Sequence, residues 1–573
     1  MAKFFLGVIL GIVIAVVGSI VVLFSIGRVF ANKQPTVADN SVLLLDLQGE
    51  IPEAAPVEIP FPIGRPSAQP TVRDLWNSLH QAAKDQRVKA IILEPHSIVT
   101  GWAKLQEIRK EIEEFKKSGK PVYAYLQSPG SHEYYLASVA DKIYISPDDM
   151  VDVKGFLLEE MYFKNTLDKV GVQVDVDHIG KFKDYGDTFT KTGMTPETRE
   201  VLNQVVDQIY NDFCGRVGES RHLAADQVKA LVDSGPFIAS QAKTSGLIDE
   251  LAYEDQVFTD LKKRTGEKDL NKVSIKSYFK ATPAKGDRIA VLVGEGEIVR
   301  GDSDGLNDNA NISSGGFAKV IRQVRNDSSI KGVVVRVNSP GGDSVASDEI
   351  LHELKLLSAA KPVAISMSDY AASGGYFISM TGDPIVSYPD TLTGSIGVLY
   401  LRPNFHGLVD KLGITEDQIS RGKFSNLDDV TQPLSEAGRQ KLHDSIAATY
   451  KSFVGKVAAA RKKSFDQIDS VAQGHVWMGA QAKTNGLVDQ LGGLTEAVQI
   501  VRKKAGLSAG GETNLVMFPA RRSLLDMLTS ATPEALEEDA LQRKIRTLAP
   551  GLPSPGMLKG GMLEILPYSL TVR

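Results

Sequence analysis

The sequence predicts an α/β protein made by tandem duplication of one βαβ domain, set behind an N-terminal transmembrane helix. Three observations carry that reading. The stretch Gln241-Ala-Lys-Thr-Ser-Gly-Leu-Ile-Asp249 returns 240 residues later as Gln481-Ala-Lys-Thr-Asn-Gly-Leu-Val-Asp489. A fixed internal period as long as a domain marks a duplicated domain rather than a solenoid. Within each half, short β-branched runs alternate with helical patterns, which argues for βαβ units on a largely parallel sheet. Finally, Phe4 to Ile26 contains no charged residue. At about 1.5 Å per residue these residues give a helix of roughly 35 Å, enough to cross a bilayer.

In order along the chain, residues 1–38 read as anchor and polar linker. Gly27-Arg-Val-Phe-Ala-Asn32 offers only a poor cleavage site, so the segment is expected to be retained. Lys3, Arg28 and Lys33 flank it too evenly to set its orientation. Residues 39–265 form the first repeat, opening on the strand Ser41-Val-Leu-Leu-Leu-Asp-Leu47. Residues 266–287 read as a linker, and residues 288–507 as the second repeat, opening on Ile289-Ala-Val-Leu-Val293. Here Gly332–Val337 reads as a strand, 344–358 as a helix and Pro362–Met367 as the next strand. The repeat is lost from Ser508. In the tail, residues 508–573, Pro533–Ile545 reads as an acidic helix and Leu548–Gly561 as irregular.

Composition excludes several classes of function. The net charge of −5 gives no sign of a nucleic-acid partner, and the one cysteine, Cys214, excludes an intrachain disulfide and a Cys-based zinc site. Cys214 is expected to be a small buried hydrophobe. No phosphate loop of the Gly-x-x-x-x-Gly-Lys-Ser/Thr type and no His-Glu-x-x-His is present, so no cofactor and no metal are expected.

Three turns offer chemistry. In Val337-Asn-Ser-Pro-Gly-Gly-Asp-Ser344, consecutive glycines between strand and helix can aim backbone N–H groups at an oxyanion; the alternative is a plain βα turn. In Asp369-Tyr-Ala-Ala-Ser-Gly-Gly-Tyr376, a serine follows a strand and opens a helix. That is the logic of a nucleophile elbow, though Ala371 stands at its first glycine, and an N-cap serine fits equally well. In Ile179-Gly-Lys-Phe-Lys-Asp-Tyr185, Lys183 or its competitor Lys181 can serve as a base if burial lowers its pKa; otherwise each is a solvated charge. With a shift of 241, Ser373 falls opposite His132 and Gly374-Gly375 opposite Glu133-Tyr134; with the shift of 242 that matches Gly180-Lys-Phe182 to Gly422-Lys-Phe424, Lys183 falls opposite Ser425. Each copy therefore keeps a different half of one composite site.

At these residues the chain resembles the long, duplicated signal peptide peptidases of peptidase family S49, membrane-bound serine peptidases. The matching text runs through Asn338-Ser-Pro-Gly-Gly, Ala371-Ala-Ser-Gly-Gly-Tyr376, Thr391-Leu-Thr-Gly-Ser-Ile-Gly-Val398, the Gly-x-Phe-Lys turn and both Gly-Leu-Ile/Val-Asp stretches. The resemblance implies a ClpP/crotonase-like domain and a Ser–Lys dyad, with Ser373 as nucleophile and Lys183 as base. It implies that Ser395 orients the lysine, and that the oxyanion rests on the N–H of Gly374 with that of Gly341 or Gly342. Phe182 stands where the family has tyrosine, and Asp184-Tyr185 where it commonly continues Ser-Ala. An inward Asp184 carboxylate would raise the lysine pKa. Also implied are peptide substrates derived from signal peptides, a homo-oligomer (a tetramer) and a single-pass location in the cytoplasmic membrane, with the catalytic part outside. Rival readings are a Ser-His-Asp hydrolase through His132, a crotonase-type CoA enzyme without a nucleophile, and a membrane-tethered scaffold or holdase.

Overall fold

The computed structural model describes residues 35–54, 69–302, 311–508, 510–520 and 561–566, with Gly7, Gly11 and Gly18 besides. Among the described residues no helix is long and apolar enough to cross a membrane. The predicted anchor Phe4–Ile26 and the predicted tail helix Pro533–Ile545 lie outside them, those three glycines apart.

The strands of the first repeat are β1 (Ser41–Gly49), β2 (Val88–Ile98), β3 (Val122–Leu126), β4 (Lys142–Ile145), β5 (Met150–Val151), β6 (Gln173–Ile179), β7 (Phe237–Ile238), β8 (Glu250–Leu251) and β9 (Asn271–Ser274). Those of the second are β10 (Asp287–Glu295), β11 (Glu297–Val299), β12 (Asn311–Ser313), β13 (Gly332–Ser339), β14 (Gly341–Asp343), β15 (Val363–Ala372), β16 (Ile385–Ser387), β17 (Leu392–Gly394), β18 (Val398–Asn404), β19 (Val476–Met478), β20 (Gln490–Leu491) and β21 (Thr513–Phe518). Near the C-terminus lies β22 (Gly561–Ile565).

The first sheet runs β8-β4-β3-β2-β1-β9, all parallel. In the second, β20-β16-β15-β13-β10-β21 repeats that order, again parallel, and β17 and β19 are added beside β15. Parallel neighbours need helical crossovers that cover both sheet faces. Helices Val72–Lys84 and Trp102–Lys116 pack together on one face of the first sheet with Glu254–Thr265 on the other, and Ser314–Asn326 and Ser344–Ala360 on one face of the second with Leu494–Lys504 on the other. The run Gly332–Ser339 is buried at every residue, as a central strand requires.

Two expectations shift. Residues 271–281, read as linker, form β9 and the helix Ile275–Ala281, and β9 completes the first sheet against β1. Its counterpart β21 lies past Ser508, so the repeat continues one strand further than its sequence similarity. Composition hid β9, whose Asn271-Lys-Val-Ser274 is polar as a sheet edge tolerates, whereas β21 carries the apolar run Leu515-Val-Met-Phe518 beyond the point where the repeat similarity ends.

The repeated Gly-Leu-Ile/Val-Asp text is structural. Arg221 clamps Asp249 in the first copy and Arg461 clamps Asp489 in the second, each through two hydrogen bonds. Those aspartates also accept from the backbone N–H of Ile143 and Ile385. Likewise the Tyr134 hydroxyl donates to Leu247 O and the Tyr376 hydroxyl to Leu487 O. These matched bonds correct the register of the comparison: Tyr376 stands opposite Tyr134, a shift of 242 rather than 241. Ser373 therefore faces Ser131, not His132, and Gly374-Gly375 face His132-Glu133. A one-residue difference in the loop after β3 misled the sequence alignment.

The repeats are locked together by charge as well as by packing. Arg336 of β13, 1% exposed, donates to Glu53 at 3.0 and 2.7 Å and to Glu107, both from the first repeat. Lys104 of the first repeat is as deeply buried and lies 3.6 Å from Asp369 and 3.8 Å from Glu295 of the second. A third sheet, β12-β11-β14-β22-β18-β6, crosses between repeats. In it β6 pairs antiparallel with β18 over seven residue pairs, from Val398–Ile179 to Asn404–Gln173. The chain leaves β6 at Ile179, so the Gly180–Lys183 turn is delivered into the second repeat.

Candidate active site

Strand β15 runs further than expected, through Asp369–Ala372, because Tyr370–Ala372 pair with Leu392–Gly394 of β17. The chain then turns sharply at Ser373, whose φ of +53° is unusual for a residue with a side chain, and the helix Gly374–Ile378 follows. The Ser373 N–H is held by Gly394 O at 2.8 Å. Ser395, next along from Gly394, also has positive φ, +48°, and its N–H is held by His475 O at 2.8 Å. Strained backbone at two adjacent serines, fixed by neighbouring strands, is characteristic of functional sites.

The Gly180–Lys183 turn reaches this spot by close backbone approach. Phe182 N–H donates to Gln473 O at 2.9 Å, and its ring packs 4.4 Å from the His475 ring. Gly180, at φ +108°, has Gln473 backbone 2.5 Å from where a Cβ would lie. A Cβ on Gly474 would lie 2.6 Å from Lys183 N and 2.7 Å from Lys183 Cβ. Only glycine leaves room for the lysine to enter.

Lys183 and Ser373 are both fully buried, and Lys183 Nζ lies 2.7 Å from Ser373 Oγ. The same nitrogen is 3.0 Å from Ser395 Oγ and 3.0 Å from Ser395 O. Burial holds the Lys183 ammonium far below the ordinary lysine range, at about 7, against the opposing pull of the Glu564 and Asp184 carboxylates. Asp184 therefore acts in the expected direction, but burial outweighs it, and its Oδ2 accepts from the Thr198 hydroxyl. Lys181 is exposed, with Nζ 4.4 Å from the Phe182 ring centroid.

The Gly341-Gly342 pair departs from the expected geometry. These residues form β14, with φ +107° and +154°, and the next helix begins only at Ser344, capped by Asp343. The helix dipole is thus one residue removed from them. Gly341 N–H already donates to Ser339 Oγ at 3.2 Å. Gly342 N lies 3.1 Å from where a Gly374 Cβ would stand, and Gly374 N lies 2.8 Å from where a Gly341 Cβ would stand, so both glycines of this turn lie against Gly374.

The equivalent turn of the first repeat is closed. Ser131 follows Gly130 and lies within an ordinary helix. The Glu133 carboxylate takes the N–H groups of Ile98, at 2.5 Å, and Gly130, at 2.9 Å. His132 packs on the Trp102 ring at 4.5 Å, in the first repeat. Cys214 is buried. Sequence reasoning missed Gly474, Gly397 and Glu564. Gly397 has Lys183 Cδ 3.1 Å from where its Cβ would stand, and Glu564 faces the lysine electrostatically. The run Met562-Leu-Glu-Ile-Leu566, between Gly560-Gly561 and Pro567, carried a strand signal that was readable.

A buried lysine within hydrogen-bond reach of a strained serine is an arrangement that can activate a hydroxyl nucleophile. The Peptidase family S49 profile matches residues 114–268 and 355–508, once in each repeat. The chain is 32% identical over 511 residues to the chloroplastic serine protease SPPA of Arabidopsis thaliana, covering 87% of this chain and 74% of that one. It is 35% identical to Protease 4 of Salmonella typhi (79% and 75% covered) and 30% identical to Protease 4 of Haemophilus influenzae (93% and 88% covered). The solved ClpP1 of Listeria monocytogenes, at 16% identity and a TM-score of 0.23, covers 36% of this chain and 91% of that chain, too distant a likeness to add to the strand order. The chain belongs to peptidase family S49 and is a serine peptidase.

Proposed function

We propose that the chain is a membrane-anchored endopeptidase whose Ser–Lys dyad is assembled from both repeats, residues 39–265 giving Lys183 and residues 288–507 giving Ser373. The observation that carries this reading is the 2.7 Å contact between Lys183 Nζ and Ser373 Oγ. Neutral Lys183 takes the serine proton as Oγ attacks a peptide carbonyl. The N–H groups of Gly374 and Gly342 hold the oxyanion. Lys183 then protonates the leaving amine, and a water activated by Lys183 hydrolyses the acyl-enzyme. Ser395, bonded to the lysine from the other side, fixes its direction.

Apolar peptides, cleaved signal peptides among them, are the substrates we assign. The uncharged Phe4–Ile26 segment is the single-pass anchor in the cytoplasmic membrane, with the catalytic part outside. Homo-oligomerisation belongs to the same reading.

The test is hydrolysis of a blocked apolar peptide ester by the full chain and its variants. Ser373→Ala and Lys183→Ala are expected to lose at least about 10³-fold in kcat/KM, and Lys181→Ala to stay within about twofold, as for most surface substitutions. Full activity in Lys183→Ala beside a dead Ser373→Ala would place the base elsewhere.

A further inference from the structure

Strand β22 comes from the far end of the chain and lies antiparallel between β14 and β18. Gly342 stands opposite Glu564 and Asp343 opposite Leu563 on one side; Leu399 stands opposite Leu563 and Tyr400 opposite Met562 on the other. Leu566 N–H closes the pairing on Pro340 O at 2.6 Å. The strand thus passes directly over the two glycines that face Ser373. A Cβ on Gly341 would stand 1.9 Å from the Glu564 carbonyl oxygen and 2.8 Å from Gly374 N. One main-chain carbonyl of the tail, that of Glu564, therefore lies close against Gly341 and also 3.1 Å from where a Gly374 Cβ would stand, beside the proposed oxyanion donors.

The side chains agree with this placement. Leu563 and Ile565 pack with Leu399 and Leu401, and Val174, Val176 and Tyr185 lie against that cluster. Glu564 turns the other way and is 1% exposed, with Oε2 lacking a hydrogen-bond partner. Burial pushes its carboxyl up to about 8, opposed by the charges of Lys183 and Lys456 and reinforced by Asp343 and Asp348. A buried carboxyl with one oxygen left without a hydrogen bond is costly to keep in place. It fits a segment that has to leave.

We infer that β22 is an intramolecular inhibitor: the chain's own C-terminal strand fills the slot between β14 and β18 that extended peptide substrates use, and substrates bind only when it is displaced. Recognition in such a slot comes from main-chain pairing, with alternate side chains in apolar pockets, so tail and substrate compete on equal terms. This inference rests on the reading of Ser373 and Lys183 as the reacting pair.

The experiment uses the full chain carrying Leu563→Asp and Ile565→Asp together, two charges placed in the apolar cluster. With a blocked apolar peptide ester, kcat/KM is expected to rise by about tenfold or more, as for a cleft open one-tenth of the time before the change. A synthetic peptide of residues 558–573 should inhibit this variant competitively, and the same peptide with both aspartates should not. A kcat/KM within about twofold of the unsubstituted chain, with no competition by the peptide, overturns the inference. Should the double substitution unfold the chain, the peptide is tested on the unsubstituted enzyme, where a raised KM supports the inference and an unchanged KM overturns it. Adding Ser373→Ala separates the two levels: activity that survives it defeats the reading of the reacting pair, whatever the tail does.

Discussion

Lys183 is a lysine kept where lysines are unstable. With its ammonium depressed to about 7 by burial, half of the base is neutral near that pH and nearly all of it above 8. The expected profile of kcat/KM therefore rises with pH through about 7 and then levels, and a rise centred near 10 would contradict it. Stability also rises with pH, over a higher window. Folding releases this proton between about 7 and the ordinary lysine value of 10.5, so the buried amine weakens the native state at neutral pH and least at high pH. Lys183→Met should abolish hydrolysis yet leave stability at pH 7 equal to or above that of the unsubstituted chain, with the difference shrinking as pH rises toward 10.5. Denaturant unfolding at several pH values measures it.

At the scale of elements, the site depends on two backbones passing at van der Waals distance. Gly474→Ala would put a Cβ 2.6 Å from Lys183 N, at a φ of +76° that disfavours it further. The expected result is a fall in kcat of about 10²-fold or more, as for a reacting group displaced by about 1 Å. A far smaller change in KM is expected to accompany it. Wild-type kcat in Gly474→Ala would show that the lysine reaches the serine without this fit. The parallel sheets and central strands were legible because burial on both faces writes short, largely apolar and β-branched runs into β13 and β15. The serine and the lysine were named from the turns and Ser395 from the family resemblance, and the structure brings the three side chains together. The edge strand β9 was not legible, since a strand paired on one side needs no apolar pattern, and β21 was passed over because it lies beyond the end of the repeated text. Nor was the register around Ser373 legible, because one residue of loop length shifts an alignment that only the Tyr134 and Tyr376 hydrogen bonds fix.

Across the whole molecule, the proposed reading makes the duplication a division of labour. The second repeat keeps the strained serine turn, while the first closes its own turn with Glu133 and sends β6 across to present Lys183. The two halves have to hold their relation within a fraction of an ångström, and the buried Arg336–Glu53–Glu107 group is placed to do that. Arg336→Leu strands two carboxylates in the interior and is expected to destabilise the chain by about 3–5 kcal/mol. A loss below about 1 kcal/mol in denaturant unfolding would assign the lock to packing alone.

The central claim, that a lysine from one repeat activates a serine in the other, is tested most directly by the rate at which a fluorophosphonate labels Ser373, followed by mass spectrometry across pH. The account predicts labelling at Ser373 that rises through about pH 7 in the unsubstituted chain and in Lys181→Ala, and that falls by at least about 10²-fold in Lys183→Ala. Labelling of Ser373 at an undiminished rate in Lys183→Ala would contradict it.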